Sequence, residues 1–233
     1  MAPGNQSRTM PIPPAAARLG ALLVAAALFA GAPGAGFAGA QPVKLLAFGD
    51  SLVHGYGLPA GEDFPAQLES ALRARGYPVE VINAGNSGDT TAAGRARLDW
   101  ALAVEPDLVL VEFGGNDGLR GIEPSDTYRN LDHILARLAA EGLAVLFTGM
   151  RAPRNLGEDY VAEFDAVFPR LADKHGVAFY PFFLDGVALD PRLNQDDGIH
   201  PNAAGVAVLV ERIVPALEPL LRGLAARREA AGG

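Results

Sequence analysis

There is no cysteine in the chain. That excludes a thiol nucleophile, a disulfide framework and thiolate metal ligands, so the fold must rest on its own apolar core. Basic charge is scarce as well. Beyond residue 40 the chain carries 17 Lys and Arg against 27 Asp and Glu, a net charge of −10. A surface of that sign is repelled by phosphate backbones and docks poorly on anionic lipid, so nucleic-acid binding is not expected. Histidine is limited to four residues, at 54, 133, 175 and 200. A metal site is not expected, because Asp196, Asp197 and His200 have no second histidine placed to complete one.

What is present begins with a leader. Met1 to Arg18 holds two basic residues, Arg8 and Arg18, and no acid; a small-apolar run follows from Leu19 to Phe29, then Gly and Pro, then Ala38-Gly39-Ala40. This is the three-part pattern of a secretory signal peptide over residues 1–40, cleaved before Gln41. Its apolar run falls short of the roughly 20 residues that span a bilayer, so stable membrane insertion is not expected once the leader is removed. Met10 can serve as an alternative start, and no adjacent arginines mark a twin-arginine signal. A secreted protein, in a bacterial periplasm or outside the cell, is the expectation. Residues 41–233 are a comfortable length for one domain.

In that domain apolar runs alternate with helical patterns. Val43–Phe48, Val79–Ile82, Leu108–Phe113, Leu143–Thr148 and Val177–Tyr180 read as strands. Their hydrophobicity is continuous rather than alternating, which means that both sheet faces are covered, as in parallel sheets. Between them, Phe64, Leu68, Ala71 and Leu72 share one helix face, and Gly94, Leu98, Ala101 and Leu102 a second. Leu131, Ile134, Leu135 and Leu138 mark a third helix that Ser125 can cap. Tyr160–Lys174 and Asn202–Leu221 complete the set, the last with Pro215 expected to kink it. Five strands and five helices in strict alternation predict a doubly wound α/β fold with right-handed crossovers. The polar, glycine-rich segments 49–61, 83–91, 114–124 and 181–202 then fall at the carboxyl edge of the sheet, where open α/β folds bind ligands.

Those segments carry a coherent chemistry. The first strand climbs to Gly49 and delivers Ser51, a hydroxyl that needs a base to become a nucleophile. His54, His133 and His175 read as packing or solvated residues. His200 follows a turn and opens the last helix, and Asp197 three residues earlier can hold the ring nitrogen that faces away from the serine. Asp196 is the competing orienter. Attack on a carbonyl creates an oxyanion that needs preset donors; Gly88, the Asn116 amide and the Ser51 N–H are candidates. The pattern is that of a serine hydrolase.

The ordered blocks Gly49-Asp50-Ser51-Leu52, Gly88, Gly114-Gly115-Asn116-Asp117 and Asp197-Gly198-Ile199-His200 resemble those of the SGNH-hydrolase, or GDSL-esterase, superfamily. The likeness runs from about Lys44 to Leu221 and is greatest to the secreted thioesterase I, lysophospholipase and arylesterase branch. It implies a flavodoxin-like three-layer α/β/α fold with a five-stranded parallel sheet in the order 2-1-3-4-5. It implies Ser51 as nucleophile, His200 as base, Asp197 as orienter, and Ser51, Gly88 and Asn116 as the oxyanion hole. An acyl ester or thioester is the implied small-molecule substrate, with no cofactor. The segments 119–124 and 151–157, with Leu119, Arg120, Gly121 and Pro153, are expected to flank the acyl channel. A carbohydrate acetylesterase and a catalytically silent secreted binding module are the alternatives, and a monomer is the default state.

Overall fold

A computed structural model describes residue 1 and residues 41–232 of the chain. The expected signal peptide therefore lies, beyond Met1, outside the described residues. From residue 41 the elements run in the order β1 (Val43–Gly49), α1 (Ser51–His54), α2 (Phe64–Ala74), β2 (Val79–Gly85), α3 (Thr91–Ala96), α4 (Leu98–Leu102) and β3 (Leu108–Glu112). They continue with α5 (Gly115–Arg120), α6 (Pro124–Ala140), β4 (Ala144–Thr148), a 3-10 turn at Arg154–Leu156, α7 (Glu158–His175), β5 (Ala178–Tyr180) and α8 (Ala203–Gly232).

The five strands form one parallel sheet in the order β2-β1-β3-β4-β5. This is the flavodoxin-like order that the family resemblance implied. All five residues of β3 are buried, as continuous apolar strands covered on both faces must be. The helices pack in two groups, α2 with α8 and α6 with both α3 and α7, which gives the three-layer arrangement. Leu45, Phe48, Leu110, Phe147 and Phe168 lie in the buried core, with the Phe48 and Phe113 rings edge to face at 4.9 Å.

Several boundaries differ from the sequence reading, each for a physical reason. β2 runs on to Gly85 because its ladder with β1 continues through Ala47↔Asn83 to Gly49↔Gly85, although Asn83 and Gly85 are poor strand formers. The helix expected around Gly94 to Leu102 is two short helices that break at Arg97. There the Arg97 side chain turns inward to bind Asp89 and the carbonyls of Ala84 and Gly49. Gly94 is a close-approach position: a Cβ there would lie 2.6 Å from the Phe113 ring. Ser125 does not cap α6. The helix starts at Pro124, whose missing N–H and preset φ suit the first helical position, and Ser125 lies inside the first turn. Segment 114–124, read only as polar and glycine-rich, contains α5. α7 starts two residues earlier than expected, at Glu158. Asn202 does cap the final helix, accepting from Gly205 N–H at 3.0 Å, but α8 continues through Pro215 and Pro219 to Gly232, past the expected end at Leu221.

Candidate active site

β1 ends at Gly49, and Asp50 leaves the strand in a non-helical conformation while its carboxylate accepts from Leu52 N–H at 3.0 Å. Asp50 therefore caps α1, and Ser51 becomes the first residue of that helix. N–H groups in a first turn have no partner inside the helix, so this turn offers donors beside the Ser51 hydroxyl. Gly55, in the left-handed conformation, ends α1 after four residues.

His200 Nε2 lies 3.0 Å from Ser51 Oγ, across 149 residues of sequence. Its Nδ1 lies 2.6 Å from Asp197 Oδ2. The other carboxylate oxygen of Asp197 accepts from the backbone N–H groups of Ile199 and His200 at 2.9 and 3.0 Å. One tight turn thus fixes the carboxylate and aims the ring. Desolvation pushes the Asp197 carboxyl upward, but the His200 backbone and ring and the Ile199 N–H outweigh it and hold the group at about 2. Asp196, the competing orienter, has no such contact among the described hydrogen bonds. The Tyr56 ring lies 4.6 Å from the imidazole, and Gln195 Nε2 donates to Tyr56 O at 2.7 Å and to Pro201 O at 3.0 Å.

The expected oxyanion segments meet at the same edge. Gly88 adopts a φ of +86°, open to glycine and strained for other residues. Its loop is tied down by buried Asp89, which accepts from Asn86 Nδ2 and from Arg97 Nε, each at 2.6 Å. Asn86 N–H in turn donates to Gly49 O at 3.0 Å. Asn116, in α5, donates its side-chain amide to Asp50 Oδ2 at 3.1 Å, which brings it beside Ser51. Asp117 is buried and accepts from Thr91 N–H at 2.9 Å and from the hydroxyls of Thr91 and Thr127 at 2.5 and 3.1 Å, so α5 is anchored from below.

The four residues expected along the acyl channel fall into two places. Leu119 and Arg120 stand exposed on α5, and Gly121 closes that helix in the left-handed conformation. Arg120 Nη2 donates to Gly88 O at 2.9 Å and so links α5 to the loop after β2. Pro153 meets the same helix: a Cβ on Gly118 would lie 3.4 Å from Pro153 Cδ. The remaining histidines stay apart from this geometry. His54 Nδ1 lies 3.3 Å from Gly85 O, His133 is exposed on α6, and His175 contacts Asp132 at 2.7 Å. Among the described residues no group of three or more His, Cys, Asp or Glu side chains is arranged as a metal site.

Sequence reasoning missed Tyr56, Gln195, Arg97 and Glu112. Glu112 ends β3, fully buried, with Oε2 3.2 Å from Asp50 N–H. Burial raises the Asp50 carboxyl to about 6, against the Leu52 N–H, Glu112, Asn116 and the charge on His200, which lower it. Burial and then the negative charge of Asp50 push Glu112 well above the ordinary carboxyl range. An acid inside the otherwise apolar run Leu108–Phe113 is the signal that could have found it.

Comparison with known proteins gives a consistent picture. Residues 47–208 match the GDSL-like Lipase/Acylhydrolase family. The chain is 43% identical over 178 residues to Esterase TesA of Pseudomonas aeruginosa, covering 76% of this chain and 89% of that protein. It is 40% identical over 186 residues to Thioesterase 1/protease 1/lysophospholipase L1 of Escherichia coli K12, covering 79% and 88% respectively. Among solved structures it resembles AlinE4, an SGNH-hydrolase family esterase, at 48% identity and a TM-score of 0.66, covering 78% of this chain and 98% of that one.

Proposed function

The chain belongs to the GDSL-like Lipase/Acylhydrolase family and is a carboxylic ester hydrolase; we propose that it works through an acyl-enzyme on Ser51. His200 is the base, Asp197 its orienter, and the Ser51 N–H, the Gly88 N–H and the Asn116 amide are the oxyanion donors. The observation that carries this reading is the continuous hydrogen-bond path from Ser51 Oγ through the His200 ring to Asp197.

His200 Nε2 takes the serine proton as Oγ attacks the acyl carbonyl. The carbonyl oxygen becomes an oxyanion and turns toward the three donors. The imidazolium, stabilised by Asp197, then gives its proton to the leaving alkoxide or thiolate as the carbonyl re-forms. Water repeats the sequence on the acyl-enzyme, with His200 again accepting a proton, and releases the acid and Ser51.

The substrate class is an acyl ester, extended to thioesters and lysophospholipids by the named activities of the relatives. Leu119, Arg120, Gly121 and Pro153 line the acyl side. Residues 1–40 are a leader cleaved before Gln41, residues 41–233 are the hydrolase domain, and the mature enzyme is an exported, periplasmic or secreted monomer. No helix among the described residues is long and apolar enough to cross a membrane.

The test is hydrolysis of p-nitrophenyl esters from acetate to palmitate by residues 41–233, with Ser51→Ala in parallel. Hydrolysis that disappears in the variant, with labelling of Ser51 by a fluorophosphonate, supports the mechanism. Activity confined to acetate favours an acetylesterase, and an unlabelled, inactive wild type would leave a binding module. N-terminal sequencing of exported protein checks the cleavage site.

A further inference from the structure

Beneath the site lie two buried carboxyl groups that the reaction steps do not use, Asp50 just after β1 and Glu112 at the end of β3. Each is 1% exposed or less, and the Asp50 backbone N–H donates to Glu112 Oε2 at 3.2 Å, which sets the two residues side by side. Their immediate surroundings are tight, since a Cβ on Gly49 would lie 2.7 Å from Glu112 Oε2. Two adjacent carboxylates cannot both ionise in such a place, so one proton must be held between them.

The donors decide where that proton sits. Asp50 accepts from Leu52 N–H on one oxygen and from Asn116 Nδ2 on the other. Glu112 receives only the Asp50 N–H, on Oε2, and its Oε1 is the single buried side-chain polar atom without a partner among the described residues. An oxygen with no donor aimed at it is poorly placed as half of a carboxylate, and well placed as the hydroxyl of a neutral acid. A cation also stands near Asp50, since Arg97 Nη2 donates to the carbonyl of the preceding residue, Gly49, at 2.8 Å.

We propose that Glu112 is a neutral acid that donates its proton to a charged Asp50, and that Asp50 is the positioning residue that holds the Asn116 amide toward the oxyanion. With one amide hydrogen engaged by Asp50, the second hydrogen on the same nitrogen is fixed in direction before substrate arrives. A preset donor costs no reorganisation during the reaction. This inference rests on the assignment of Asn116 as an oxyanion donor.

The test is a double-mutant cycle read in kcat and KM on one p-nitrophenyl ester. Asp50→Asn keeps the shape and can still accept from Leu52 N–H, but then turns an amide toward Asn116, donor against donor. It is expected to lower kcat by about 10- to 100-fold with KM nearly unchanged. In an Asn116→Ala background the same change should alter kcat by no more than about twofold. Glu112→Ala should lower kcat, and Glu112→Gln, which supplies an N–H to Asp50, should restore it.

Additive losses in the cycle would overturn the positioning role while leaving Asn116 as a donor. An Asn116→Ala enzyme at the wild-type rate would overturn the oxyanion assignment, and the positioning role with it. A further measurement does not depend on activity or on the folding of the Asp50 variant. The infrared difference between wild type and Glu112→Gln at pH 7 should contain a protonated carboxyl band, and its absence would overturn the neutral acid.

Discussion

The Tyr56 ring lies 4.6 Å from the His200 imidazole, centroid to centroid, tilted by 40°. Both ring nitrogens stay engaged by Ser51 and Asp197, and the tyrosine ring lies within reach of the imidazolium that the proposed mechanism forms. Such a contact is worth about 0.5–2 kcal/mol, or roughly 2- to 30-fold in rate. Tyr56→Ala is expected to lower kcat within that range, and Tyr56→Phe to retain most of it. Equal rates for all three enzymes would remove any role for the ring.

On the proposed mechanism Asp197 contributes through the direction of its hydrogen bonds. Asp197→Asn should lower kcat by about 10⁴-fold, because an amide beside Nδ1 can favour the wrong tautomer. Since the wild-type carboxyl stays ionised to about pH 2, it should not add a limb of its own to the pH–rate profile above that value. Steady-state kinetics of the two enzymes check this, and a loss below about tenfold would count against Asp197 as the orienter.

The same group bears on acid stability. Its folded-state value lies below the ordinary 3.8, so its contribution is fully present above that pH and is lost as the pH falls toward 2. Thermal melts of Asp197→Asn and wild type should therefore converge between about pH 4 and pH 2. A stability difference unchanged over that window would mean that the hydrogen bonds do not favour the ionised form.

Asp50 has the opposite sign. Its value is raised from 3.8 to about 6, so the folded state favours its protonated form, and stability falls as pH rises through 6. Replacing it by Asn removes a buried charge at the cost of its hydrogen bonds. Asp50→Asn is expected to be more stable than wild type by about 1–3 kcal/mol at pH 8, with the gain disappearing below about pH 4. Urea denaturation at the two pH values checks this. A variant that is equally destabilised at both would show that the charge costs nothing.

Arg97 ties the chain before the nucleophile to the loop that carries Gly88. Its guanidinium binds Asp89, Ala84 O and Gly49 O, and stands 4.6 Å from the Phe48 ring centroid. Lysine cannot reproduce the fork. Arg97→Lys should destabilise by about 2–4 kcal/mol in urea denaturation, since Asp89 keeps a weaker partner and two carbonyls lose donors. A change below about 0.5 kcal/mol would place Arg97 among ordinary surface residues.

The strands were legible because Val43–Phe48 and Leu108–Phe113 are apolar at nearly every position, and only burial on both faces calls for that. Ser51, Asp197 and His200 were legible because each lies where an apolar run or a turn stops. Asn83–Gly85 were missed because their strand geometry comes from the register with β1 rather than from their own propensity. Arg97 read as an ordinary helix residue, and its inward turn depends on Gly49, 48 positions earlier. Glu112 lay inside the expected strand Leu108–Phe113 and carried no reading of its own. Its raised carboxyl depends on burial and on Asp50, which local sequence cannot supply.

Ser51 follows the first strand and His200 comes just ahead of the last helix, so the other four strands are threaded between them. A chain that stops short of residue 200 lacks the hydrogen-bond partner of Ser51 Oγ, whatever part of it has already folded. On the proposed mechanism, hydrolysis therefore reports on completed folding, and a growing chain is silent until its last helix begins.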